Sequence, residues 1–215
     1  MLVLKRVCES KQVGTLYHVC TIDAVSNFIA PKDTLSSSGQ FFNQMLKRTD
    51  CISFTRSKNL IVDTPRNRKA LMLIRFAVDG NSLSEHYKIK PYNDSYYDPE
   101  TDTMIHYPAK DREGEEIVIG KIYPFSDYVQ SVEISLSKNI MDLNKNNLQT
   151  FMQDFNSSYS YLSQFKVVYN PDLCIAKGTT MKLSSLSDCK ELLESLVDKE
   201  GNQMSEDWTH DISMR

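Results

Sequence analysis

The chain has 215 residues, enough for one substantial domain, or one domain with an appended subdomain, to bury a core without metal or disulfide staples. Hydrophobic residues make up 40% and charged residues 25%, and 25 Lys+Arg against 28 Asp+Glu leave a formal net charge of -3. That balance excludes a strongly basic nucleic-acid footprint over the whole chain and the composition of a fibrous or disordered protein, leaving at most a local patch around Arg56, Lys58, Arg66, Arg68 and Lys69.

Residues 16 to 20, LYHVC, predict a strand. Thr21 is then a candidate N-cap, Asp23 suits the first turn of a short helix with Val25, Phe28 and Ile29 as its apolar stripe, and Pro31 ends it. A small-residue loop follows, and FFNQMLKRTD can form a helical turn or two. CISFT at 51 to 55 alternates like a half-buried strand. ALMLIRFAVDG, from Ala70, is the strongest strand, closed by the turn signal Asp79-Gly80. The stretch 81 to 112, with KPYNDSYYDPETD, reads as an extended loop, and His86 and His106 within it as solvent-facing. EEIVIG at 115 to 120 and VQSVEISL at 129 to 136 are further strands.

Composition then shifts. Ile140, Leu143, Leu148, Phe151, Met152 and Phe155 have near-helical spacing, and LSDCKELLESLVDKEG predicts a helix with Ser187 as N-cap and Gly201 as stop. A boundary at 137/138 divides the chain into 1–137 and a mostly helical 138–215. The five cysteines (Cys8, Cys20, Cys51, Cys174, Cys189) are scattered, with no C-x-x-C pair. This argues against a zinc site or disulfide framework and for a reducing compartment, and Cys20 and Cys51 read as inert filling of apolar strands. No segment approaches the length of a membrane span, so no membrane partner is expected.

Three short signals remain: Tyr17-His18 at a strand end, Ser53-Phe54-Thr55 with Arg56 after it, and Glu115-Glu116 before an apolar strand. Taken singly, each has a bland reading, as a core histidine, an alternating solvent face and a solvated strand start. In this order, over roughly residues 14 to 136, they resemble the three strand-borne motifs of the ADP-ribosyltransferase superfamily: an aromatic-His, a Ser-x-Ser/Thr, and a glutamate before a strand. The pattern looks most like the His-bearing branch and its compact prokaryotic or phage-encoded members.

The resemblance implies an α+β fold with a split antiparallel β-sheet core and short helices over 1–137, followed by a helical C-terminal subdomain. It implies an enzyme that cleaves NAD, its substrate rather than a resident cofactor, and passes ADP-ribose to a macromolecular acceptor, protein or nucleic acid, in the cytoplasm, the host's own for a phage-encoded member. Glu116 would be the catalytic carboxylate, with Glu115 as the alternative because a one-residue slip turns a side chain to the other face. His18 would hydrogen-bond the adenosine ribose, with Tyr17 beside it among the NAD-binding residues, Ser53 or Thr55 would brace the site, and Arg56 would meet the pyrophosphate. Gly114 stands where arginine-modifying members carry Glu or Gln, and Val19 and Cys20 replace a common Gly and Thr. The residue stacking on nicotinamide is left among Phe41, Phe42, Phe54, Tyr96 and Tyr97. A water-accepting glycohydrolase and a catalytically silent interaction module are the competing readings.

Overall fold

The strand signals assemble into one sheet in the computed structural model, which describes residues 13–36, 51–58, 69–91, 95–98, 103–106, 115–173 and 180–198. The near-continuous apolar run becomes β3 (Met72–Asp79), buried on both faces. It lies between β1 (Thr15–Thr21) and β8 (Val129–Leu136), antiparallel to both. β2 (Cys51–Thr55), β7 (Glu115–Ile119) and β4 (Lys88–Pro91) continue the sheet beyond β1, and β9 (Val167–Tyr169) adds parallel to β8, giving a mixed, open seven-stranded sheet ordered β4-β7-β2-β1-β3-β8-β9. β5 (Ser95–Asp98) and β6 (Thr103–His106) form a separate antiparallel pair. The architecture is α+β.

The sheet is unevenly knit. β1 and β3 are in register from Thr15–Asp79 to Thr21–Leu73, whereas among the described residues β1 and β2 are in register at Tyr17–Thr55 alone. One buried cluster runs from Leu16 through Ile74, Phe76 and Val132 to Leu148, Phe155 and Leu193, so α3 (Lys145–Leu162) and α4 (residues 186 to 198) pack on the core that the strands build.

Several local expectations are corrected. Asp79-Gly80 does not close a turn: the Asp79 carboxylate accepts from the amides of Asn81 (3.0 Å) and Ser82 (3.1 Å) and caps α2 (Gly80–His86). The region expected as a long loop therefore holds α2, β4, β5 and β6, and His86 is exposed on α2. Thr21 has N-cap backbone angles, but its buried hydroxyl makes no cap bond. The helix after it, α1 (Ile22–Ala24), widens at once into a π-helical turn (Val25–Ile29), closed by Ala30 N–H to the Val25 carbonyl at 2.9 Å. The wider turn buries Val25 and Ile29 but swings Phe28 outward, leaving it 53% exposed. α4 begins before Ser187; Ser185 caps it, its hydroxyl accepting from Asp188 N–H at 3.1 Å while donating to the Asp188 carboxylate at 2.7 Å. FFNQMLKRTD and Gly201 lie outside the described residues.

Candidate functional site

LYHV, ISFT and EEIVI occupy β1, β2 and β7, which are consecutive neighbours in the sheet. The register places Tyr17 opposite Thr55, Thr55 opposite Glu115, and Phe54 opposite Glu116. Because side chains alternate along a strand, this sorts the candidates by face. Phe54 and Glu116 share one face, and the His18 ring packs against Phe54 with centroids 5.5 Å apart. Tyr17 and Thr55 share the other, with the Ser53 and Glu115 positions; there the Tyr17 ring lies 5.6 Å from the Arg75 guanidinium.

His18 bridges the loosely joined seam. Its Nδ1 is 3.0 Å from the Ser53 carbonyl, which can only accept, so Nδ1 carries the proton and Nε2 of the neutral ring is left as an acceptor. Burial holds the His18 pKa below the ordinary value although the Ser53 bond pulls it upward, so the ring is neutral near pH 7. Ser53 thus contributes its backbone. Thr55 works locally: its hydroxyl oxygen accepts from Ser57 N–H at 3.0 Å and shapes the turn that begins at Arg56.

From that turn Arg56 reaches back across β2. Its Nε donates to Glu116 Oε1 at 2.6 Å and its Nη1 to the Val13 carbonyl at 2.9 Å. Val13 is itself fixed, because the amides of Val13 and Gly14 donate to Asn81 Oδ1 at 2.7 and 3.0 Å and Gly80 N–H donates to the Gly14 carbonyl at 2.9 Å. The Glu116 side chain is 7% exposed against 35% for Arg56, so the carboxylate sits behind its guanidinium partner. Such a pair holds a buried carboxylate already matched by a cation and presents a planar, partly open fork to phosphate oxygens.

Of the aromatic candidates for stacking, Phe54 is enclosed at 1% exposure, Phe41 and Phe42 lie outside the described residues, and Tyr96 and Tyr97 are on β5. Among the described residues no three His, Cys, Asp or Glu side chains gather to hold a metal ion. Cys20 and Cys189 are buried and in no disulfide, and burial pushes the Cys189 thiol up to about 12, which keeps it unreactive. A groove of about 350 Å³ between α1 and α3, bordered by Asp23, Lys69, Asn147 and Asp154, includes none of the candidate residues.

One polar cluster escaped the sequence reading. Arg75, in the middle of β3 and 3% exposed, donates to the Glu133 carboxylate on β8 and to the Lys58 carbonyl; Glu133 also accepts from Asn170 Nδ2 at 2.6 Å and pairs with Lys58 Nζ at 3.1 Å. The cluster ties the segment two residues beyond Arg56 to the centre of the sheet. Its signal was in plain view: an arginine inside LMLIRFAV and a glutamate inside SVEIS are charges in strands that must be buried, and buried charges come in pairs. No protein-family model, curated protein or solved structure matches the chain. Among the described residues no helix is long and apolar enough to cross a membrane.

Proposed function

We propose that the chain cleaves the bond between nicotinamide and ribose in NAD and transfers ADP-ribose to a macromolecular acceptor, protein or nucleic acid. The observation that carries this reading is that the three motif strands lie side by side as β1-β2-β7, with His18 and Glu116 both beside Phe54. On this reading the core is the split ADP-ribosyltransferase type: β4-β7-β2 forms one half and β1-β3-β8-β9 the other, joined at Tyr17–Thr55, with α3 and α4 as its helical C-terminal part.

The chemistry follows from the groups present. The C–N bond breaks with its electron pair leaving on nicotinamide, and C1′ of the ribose takes on oxocarbenium character. Glu116, a carboxylate shielded from water, stabilises that charge and orients the incoming nucleophile, whose proton is lost as it bonds C1′. His18 Nε2 accepts from a hydroxyl of the adenosine ribose, a role that needs the neutral tautomer set by Ser53. Arg56 binds the pyrophosphate through its fork.

The test is incubation with NAD labelled on its adenylate portion, in a bacterial lysate, with Glu116→Gln alongside. Label on a discrete macromolecular band that falls by about 100-fold in the variant is the expected result, the magnitude of losing one preorganised electrostatic contact. Free ADP-ribose without a labelled band would make water the acceptor, and an unchanged rate in both Glu116→Gln and Glu115→Gln would remove the enzymatic reading.

A further inference from the structure

The pair that defines the site also closes it. The guanidinium of Arg56 occupies Glu116 Oε1 through Nε and spends Nη1 on the Val13 carbonyl. A carboxylate neutralised in this way is a poor partner for a second cation, because the field it would apply to a developing positive charge is already cancelled at hydrogen-bond distance. The two partners are not equally reachable: a third of the Arg56 side chain meets solvent, whereas Glu116 is nearly enclosed. An incoming anion therefore meets the arginine first.

We infer that the Arg56–Glu116 ion pair is a latch opened by a pyrophosphate, so that phosphate recognition by Arg56 and exposure of the Glu116 carboxylate are one coupled event. The pyrophosphate carries more negative charge than a carboxylate and presents oxygens at the spacing of the guanidinium fork, so it competes for the same N–H groups. Arg56 starts the turn after β2, where Thr55 accepts from Ser57, and is held on the far side by one backbone carbonyl. Its side chain can turn from Glu116 without breaking strand pairing. Lys58, the next cation along, is drawn to Glu133 and does not compete. For the reaction the consequence, which rests on the NAD reading above, is selectivity for dinucleotides: a nicotinamide nucleoside, lacking a pyrophosphate, leaves the latch shut and goes uncleaved even though it contains the scissile bond.

Coupling is reciprocal, so whatever releases Arg56 from Glu116 must strengthen phosphate binding. The probe is inorganic pyrophosphate, titrated by calorimetry at low ionic strength into the full chain, which tests the latch without NAD. Glu116→Gln is expected to bind pyrophosphate about tenfold tighter than the unaltered protein, within the usual span of coupling between two sites. Arg56→Ala is expected to lose the binding. Arg56→Lys, which keeps the charge without the fork and guards against a fold defect in the alanine variant, should weaken it. Glu115→Gln removes the same charge one residue away, at a position on the other face, and should change the affinity less than twofold. Equal tightening in Glu115→Gln and Glu116→Gln would mean plain through-space repulsion and overturn the latch, as would no tightening in Glu116→Gln. The full pattern with no NAD cleavage would leave the latch standing and bring down the NAD reading instead.

Discussion

Replacing Glu133 by leucine should be among the most damaging single changes on the sheet. The carboxylate is the partner of Arg75, a guanidinium 3% exposed whose Nε has no hydrogen-bond partner among the described residues, and leucine fills comparable volume without opening a cavity. What remains among the described residues is a buried cation with the Lys58 carbonyl and the face of the Tyr17 ring but no counter-charge; Lys58 itself is half exposed and simply rehydrates. Breaking a buried pair from one side costs about 3 to 5 kcal/mol. With a urea m-value of about 2 kcal/mol/M, the unfolding midpoint at pH 7 should fall by about 2 M. The informative companion is Arg75→Leu/Glu133→Leu, which removes the stranded charge and should recover most of that loss, since a buried pair replaced by apolar side chains is often neutral. There is also an acid limb. Burial raises the Glu133 pKa, but bonds from Asn170, Arg75 and Lys58 outweigh it and hold the group below its ordinary 4.5. The folded value lies below the unfolded one, so this stabilisation is present above about pH 4.5 and is lost as pH falls further, and Glu133→Leu should flatten that limb. A single-variant loss under 1 kcal/mol, or a double variant as unstable as the single, would refute the reasoning.

His18 has the same sign for a different reason. Burial depresses its pKa below the ordinary 6.5, so the unfolded chain takes up a proton that the folded chain refuses, and stability should drop as pH falls through and below 6.5, by at most about 1.4 kcal/mol per pH unit. His18→Gln should erase that slope between pH 7 and 5 in urea midpoints, while the exposed His86→Gln leaves it intact; identical slopes in all three proteins would contradict the assignment. Gly80→Ala places a Cβ 2.5 Å from the Gly14 carbonyl and 2.7 Å from Val13 Cγ1, an overpacking worth about 2 kcal/mol and a melting temperature lower by about 6 °C. Because Val13 carries the carbonyl that Arg56 grips, that variant should also change pyrophosphate affinity, which an equivalent loss of stability elsewhere in the core would not.

Elements whose signal is local were legible. CISFT became β2 and VQSVEISL became β8 residue for residue, because period-two alternation states both the conformation and the face. Elements whose signal is ambiguous were not. Asp-Gly serves a turn and a helix cap equally well, and the decision at Asp79 came from Asn81, which reaches Val13 and Gly14 sixty-odd residues earlier in the chain. Phe28 fits an α-helical stripe and is expelled by a π turn that no spacing rule announces. At the site, the residue types Glu116, Arg56 and His18 could be picked out, but their meeting could not. The Arg56–Glu116 bond depends on β2 and β7 pairing in one register, and Ser53 joins His18 through a carbonyl every residue possesses.

The uneven knitting of the sheet has a consequence for how the protein comes into being. Its central pairings span long stretches of chain: 58 residues separate Arg75 from Glu133, and 60 separate Arg56 from Glu116. Closing loops of that size before any contact rewards them makes folding slow, in the millisecond-to-second range of sheet-dominated domains. The half built on β1, β3 and β8 has extended register and a dense apolar core to nucleate on, whereas among the described residues the β2–β7 half attaches to it at a single registered pair. Newly made chains should therefore pass through a stage in which the core has consolidated while Arg56 has yet to meet Glu116 and His18 has yet to meet Ser53. During that stage a one-residue slip of β7 on β2 would seat Glu115 where Glu116 belongs and turn Ile117 and Val118 inside out. Both faces are buried at Ile117 and Val118, so what opposes the slip is charge: it would carry Glu116 into the buried place of Ile117, away from its Arg56 partner.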